Sequence, residues 1–146
     1  MDEPGAPAHD GHDHLRHLPD SAAPAVFAAQ ADVLFDPPAH ADQLELAVTR
    51  FFAALSGGLA DAGCTLVGHI KGTLTAPGHG DLAFHATALA IAPALTGGVA
   101  GHITDAVLTV NVIVFGVDEE ALPTLVTSAW SRAAGADTAW RRAGAL

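Results

Sequence analysis

The 146-residue chain sets six Lys and Arg against sixteen Asp and Glu, a formal charge of -10 with histidine neutral, and half of its residues are hydrophobic. That length holds one core rather than two, and the shortage of cations excludes a nucleic-acid surface, whose affinity rests on clustered Lys and Arg. The lone Cys64 excludes an internal disulfide and is expected to act as apolar filler between a helix end and a strand.

Residues 1–24 carry Pro4, Pro7, Pro19 and Pro24 and little apolar material beyond alanine, Leu15 and Leu18. Such a segment buries too little surface to offset its ordering entropy, so a disordered arm is expected. Within it, "HDGHDHLRH" brings together His9, Asp10, His12, Asp13, His14 and His17. Imidazole and carboxylate are ligands that suit Zn, Co, Ni and Cu(II), and a pliable segment can wrap several of them around one ion. The site would be labile, because ordering the arm opposes binding. The plainer alternative is an inert, solvated tail.

The rest of the chain, 25–146, reads as a single α+β domain. "AVFAAQADVLFDPP" offers Val26, Phe27, Val33, Leu34 and Phe35 to a core, and its type, helix or strand, stays open. From Asp42, Leu44, Val48, Phe51, Leu55 and Leu59 recur at helical spacing. Asp42 with Glu45 forms a capping-box signal and Gly63 a stop. The pair Gly57-Gly58 inside this helix permits a bend or close packing against the sheet.

Three strands follow, over 66–75, 82–91 and 103–117, the first two joined by the turn "APGHG". "APALTGG" and "VAGH" read as the connection to the third. A last helix starts near Asp118, or slightly later if Pro123 occupies its first turn, and presents Leu122, Leu125, Val126, Ala129 and Trp130 to the core. Trp140, Arg141 and Arg142 form a short tail. The expected architecture is therefore a three-stranded antiparallel sheet with two helices on one face.

Strand alternation assigns Leu66, Ile70 and Leu74 to the core and Val67, His69, Lys71, Thr73 and Thr75 to the other side. It divides the next two strands alike, leaving His85, Thr87, Asp105, Thr109 and Asn111 with the polar row. A turn centred at Pro77 sets His69 opposite His85, and one centred at Gly78 sets Lys71, the only lysine, opposite His85. Six residues, His69, Lys71, His85, Thr87, Asp105 and Asn111, thus form the candidate binding face. Such residues are also what a merely solvated sheet face needs, but Val107, Ile113 and Phe115 among them give the mixed character of a ligand or partner surface.

An acid–base pair of His69 and His85 beside Lys71 is the catalytic alternative, although no nucleophile or oxyanion pattern accompanies it. His69, His85 and Asp105 could supply an N,N,O metal set, against which the Lys71 ammonium would act. "LTGGVAG" lacks the lysine and spacing of a phosphate-binding loop, so no nucleotide is expected.

The strings "VGHIKGTLTAPGHGDLAFHATALA" and "VLTVNVIVFGVDEEAL" resemble an accessory α+β domain that accompanies GTPases of the CobW type. The resemblance covers about 66–122, and the histidine- and aspartate-rich arm is similar to segments that family carries. It implies an accessory or partner domain near divalent-metal trafficking, with His69 and Lys71 as its polar signature and no assigned role for either. The Walker A lysine and the Cys-rich metal motif of the GTPase core are absent from this sequence, so a GTPase activity does not carry across. A non-enzymatic binding module is the resulting expectation, with a purely structural interaction domain as the blander alternative and a protein partner or a second copy of the chain as its complement, since sheet edges and an incompletely polar face can be covered by either. No apolar run approaches the roughly 20 residues of a bilayer span and the first residues are acidic, so a soluble, cytoplasmic protein that binds neither membrane nor nucleic acid is expected.

Overall fold

The computed structural model describes residues 23–142. The histidine-rich arm, with His9, Asp10, His12, Asp13, His14 and His17, lies outside the described residues. In chain order the elements are β1 (Ala25–His40), α1 (Ala41–Asp61), β2 (Leu66–Ala76), β3 (Gly80–Ala86), β4 (Ala94–Val99), β5 (His102–Phe115), a 3-10 turn (Glu119–Ala121), α2 (Leu122–Ala134) and β6 (Asp137–Arg142). All neighbouring strands are antiparallel, in the order β4-β3-β2-β5-β1-β6.

The sheet thus has six strands, not the three expected from sequence. Segment 25–36, whose type was open, is the first part of β1, which pairs with both β5 and β6. Its core-facing residues are Ala25, Phe27, Ala29, Ala31, Val33 and Phe35, alternating at period two with outward Val26, Ala28, Gln30, Asp32 and Leu34. Residues 94–99, read as a connection, form edge strand β4, and the tail forms edge strand β6. The expected strand over 82–91 ends at Ala86.

The cap of α1 is His40, two residues before the expected Asp42: the His40 backbone N–H donates to Gln43 Oε1 at 2.7 Å, so Gln43, rather than Glu45, closes the box. Gly63, at φ 95°, supplies the turn after the helix. Gly58 serves the helix pair rather than the sheet, because a Cβ there would come within 3.1 Å of Leu125 Cδ2 on α2. The apolar stripe of α1 buries Leu44, Val48, Phe51, Leu55 and Leu59, and α2 buries Leu122, Val126, Ala129 and Trp130. Burying a side chain of this size contributes roughly 1.5–3 kcal/mol.

Phe51 joins the layers. Its ring stands edge-on to Phe84 of β3 at 6.1 Å and to Trp130 of α2 at 5.6 Å. Trp130 in turn donates from Nε1 to Thr138 Oγ1 at 3.0 Å, which fastens β6 to the helix layer and satisfies an indole N–H that burial would otherwise leave unpaired. No described residue with a polar or charged side chain is buried. No helix of the described residues is long and apolar enough to cross a membrane.

Candidate functional site

With both helices on one face, the opposite face of the sheet is uncovered among the described residues, and alternation sends the polar residues there. The β2–β3 hairpin takes the register of a turn centred at Gly78: Lys71 stands opposite His85 and, on its other side, opposite Asn111 of β5. Thr73 lies one row along, between Ala83 and Thr109, and Thr109 stands opposite Gln30 of β1. A further row holds Asp81, Thr75, Val107 and Asp32.

One expected alternation fails locally. Val67 is buried and Leu66 is 60% exposed, the reverse of simple period two from Ile70, because the β2–β5 register shifts between Val67 and His69. Gly68 occupies this bulge, where a Cβ would sit 3.1 Å from the Ile113 side chain and carbonyl oxygen. The extra residue changes which side each neighbour faces, while His69, beyond it, keeps its place on the outer face.

Of the six candidate residues, four come together. His69, Lys71, His85 and Asn111 occupy two adjacent rows, with His69 Nε2 3.4 Å from Asn111 Oδ1. Lys71, Thr73, Ala83, His85, Thr109 and Asn111 line most of an open depression of about 620 Å³, which also reaches Ala28. Thr87 lies just past the end of β3, exposed beside the small cleft bounded by Cys64, Thr65 and Leu66. Asp105 lies six residues along β5 from Asn111, roughly 20 Å at about 3.3 Å per residue, and accepts from Thr104 Oγ1 at 3.1 Å. It is too distant to share a metal ion with His69 and His85.

Charge is divided along the strands. Lys71, His69 and His85 stand toward one end of the open face, whereas Asp32, Asp81, Asp105 and Asp137 stand toward the other. Among the described residues, only Asp32 of those four is ion-paired, to Arg141 at 2.9 Å. Both partners are more than half exposed, so the pair adds at most about 1 kcal/mol. Cys64 is half-buried and donates weakly from Sγ to the Leu66 carbonyl at 3.5 Å, consistent with a packing role.

Sequence reasoning did not foresee the contact between His40 and His102, opposed residues of β1 and β5 whose ring centroids lie 4.2 Å apart. No local signal marks it, because it depends on the long-range register of those strands. No group of three or more His, Cys, Asp or Glu able to hold a metal occurs among the described residues. Compared with known proteins, the chain matches no family model, and no curated protein or solved structure is significantly similar to it.

Proposed function

We propose that this chain is a non-enzymatic binding module, an accessory domain for divalent-metal handling, with the uncovered sheet face as its working surface and the histidine-rich arm as its metal collector. The observation that supports it is the placement of polar groups. Lys71, His85 and Asn111 line an open depression, with His69 beside Asn111, on a face that no element covers among the described residues. The metal element rests on the ligand chemistry of His9, Asp10, His12, Asp13, His14 and His17, for which Zn, Co and Ni are suited ions. The partner implied by the CobW-type resemblance is a GTPase that this module would serve.

A second reading, an acid–base enzyme, is favoured by the approach of His69 to Asn111 and of Lys71 to His85. Against it, His85 and Lys71 are exposed, His69 is only half-buried, and no nucleophile adjoins them. Water-facing imidazoles lack the dry, preorganised surroundings that give such groups catalytic force.

Calorimetric titration of Zn, Co and Ni tests the proposal, using the full chain, a variant with His9, His12, His14 and His17 changed to Ala, and a His69→Ala/His85→Ala variant. Micromolar binding that disappears only in the arm variant supports metal collection by the arm. Loss only in the second variant moves the ion to the sheet face and strengthens the catalytic reading. No binding in any chain removes metal handling from the function.

A further inference from the structure

The open face is nearly self-complementary under one particular twofold rotation. The row through Ala83, Thr73, Thr109 and Gln30 is flanked symmetrically. On β3, His85 lies two residues to one side of Ala83 and Asp81 two residues to the other. On β1, Val26 and Leu34 lie four residues to either side of Gln30, and both are exposed apolar side chains, at 43% and 58%. The centre is made of small or uncharged groups, which allow two sheets to approach at the ~10 Å spacing of stacked β-sheets.

We infer that a second copy of this chain covers the face, related by a twofold axis that lies between the two sheets and runs across the strands at the Thr73–Thr109 row. This rests on the reading of the open face as the working surface, and it names the occupant. The rotation reverses strand direction. It lays His85 toward the partner's Asp81, the Lys71 end over the partner's aspartate end, and Val26 toward the partner's Leu34. Thr73 faces its own counterpart.

Charge selects this axis over the alternative. A twofold axis running along the strands would set Lys71 and the two histidines over the same groups of the partner, and aspartate over aspartate, an arrangement penalised by like-charge repulsion. The two exposed apolar residues of β1 point to the same axis independently, since only a reversal along the strand brings Val26 over Leu34. Area is sufficient as well. Five strand spacings of about 4.8 Å by eight residues of about 3.4 Å give a face of roughly 24 by 27 Å in projection. Its accessible area is of the order of the ~800 Å² per partner that a standard interface buries. Each copy would use the same patch, as a closed symmetric dimer requires.

Light scattering on the eluting full chain, with oxidative cross-linking, tests the inference. The expected mass is twice 14.7 kDa. Asp81→Lys should weaken the dimer about tenfold or more by opposing the partner's His85 and Lys71, with circular dichroism used to verify the fold. Adding His85→Asp to Asp81→Lys inverts both ends and should restore association. In a Cys64→Ala background, Thr73→Cys should oxidise to a covalent dimer, and Thr124→Cys on α2 should not. A chain that stays monomeric at about 100 µM, above the dissociation constants usual for interfaces of this size, overturns the inference while leaving the face to a different occupant. A dimer indifferent to both the Asp81 change and the Thr73 cross-link also overturns it, by placing the contact between copies on another surface and leaving the open face to a different occupant.

Discussion

Lys71 and His85 face each other across β2 and β3, and Asn111 stands on the other side of Lys71. That single register brings the only lysine of the chain into one row with an imidazole and an amide, on the side of the sheet the helices leave open. None of the three is tied down by burial.

His85 is exposed and His69 half-buried on that open face, and neither belongs to the hydrophobic core. His69→Ala and His85→Ala should each change unfolding free energy by less than about 0.5 kcal/mol, measured by urea denaturation. A loss above about 1 kcal/mol would assign the residues to the stability of the sheet instead.

Gly72 has a different standing. A Cβ at this position would lie 2.2 Å from Phe84 Cζ and 2.6 Å from the Thr109 carbonyl oxygen, so the Phe84 ring occupies the space a side chain would need. Gly72→Ala should cost about 1–3 kcal/mol by overpacking, read as a lower urea midpoint. An unchanged midpoint would mean that the β2–β3 pairing can shift without penalty.

Trp130 closes the core between α1, α2 and β6. Trp130→Ala should destabilise by about 3–5 kcal/mol, whereas Thr138→Val, which removes the acceptor of its indole N–H and the hydroxyl's own bond to the Ala136 carbonyl, should cost about 1–2 kcal/mol. Equal effects from the two changes would contradict the assignment of the ring as the larger stabilising element.

Gly135 ends α2 at φ 57°, a left-handed conformation that side chains other than Asn and Asp adopt reluctantly. Gly135→Ala should lower stability by about 1 kcal/mol and Gly135→Asn by less, which thermal unfolding of the two variants checks.

Parts of this fold are legible in the sequence for definite reasons. α1 is, because Leu44, Val48, Phe51, Leu55 and Leu59 keep a 3.6-residue period of large apolar groups. β5 is, because Ala106, Leu108, Val110, Val112 and Val114 alternate with Asp105, Thr109 and Asn111 in a run rich in β-branched residues. β1 is not, since alanine fills Ala25, Ala29 and Ala31 of its core row and is as acceptable to a helix as to a strand. β4 is hidden by Gly97-Gly98, a pair that reads as a turn, and β6 by its brevity at the chain end. The polar row of His69, Lys71, His85 and Asn111 follows from alternation and the hairpin turn. The separation of Asp105 from that row needs position along the strand as well as face, and the bulge at Gly68 is a long-range accommodation to Ile113 that no local pattern announces.

The most direct measurement of the central claim is a residue-resolved one: the imidazole resonances of the full chain followed by NMR as zinc is added. The account predicts that His9, His12, His14 and His17 shift first and together, with the resonances of His69, His85 and His102 unmoved. Shifts confined to His69 and His85, or no shift at any histidine, would contradict it.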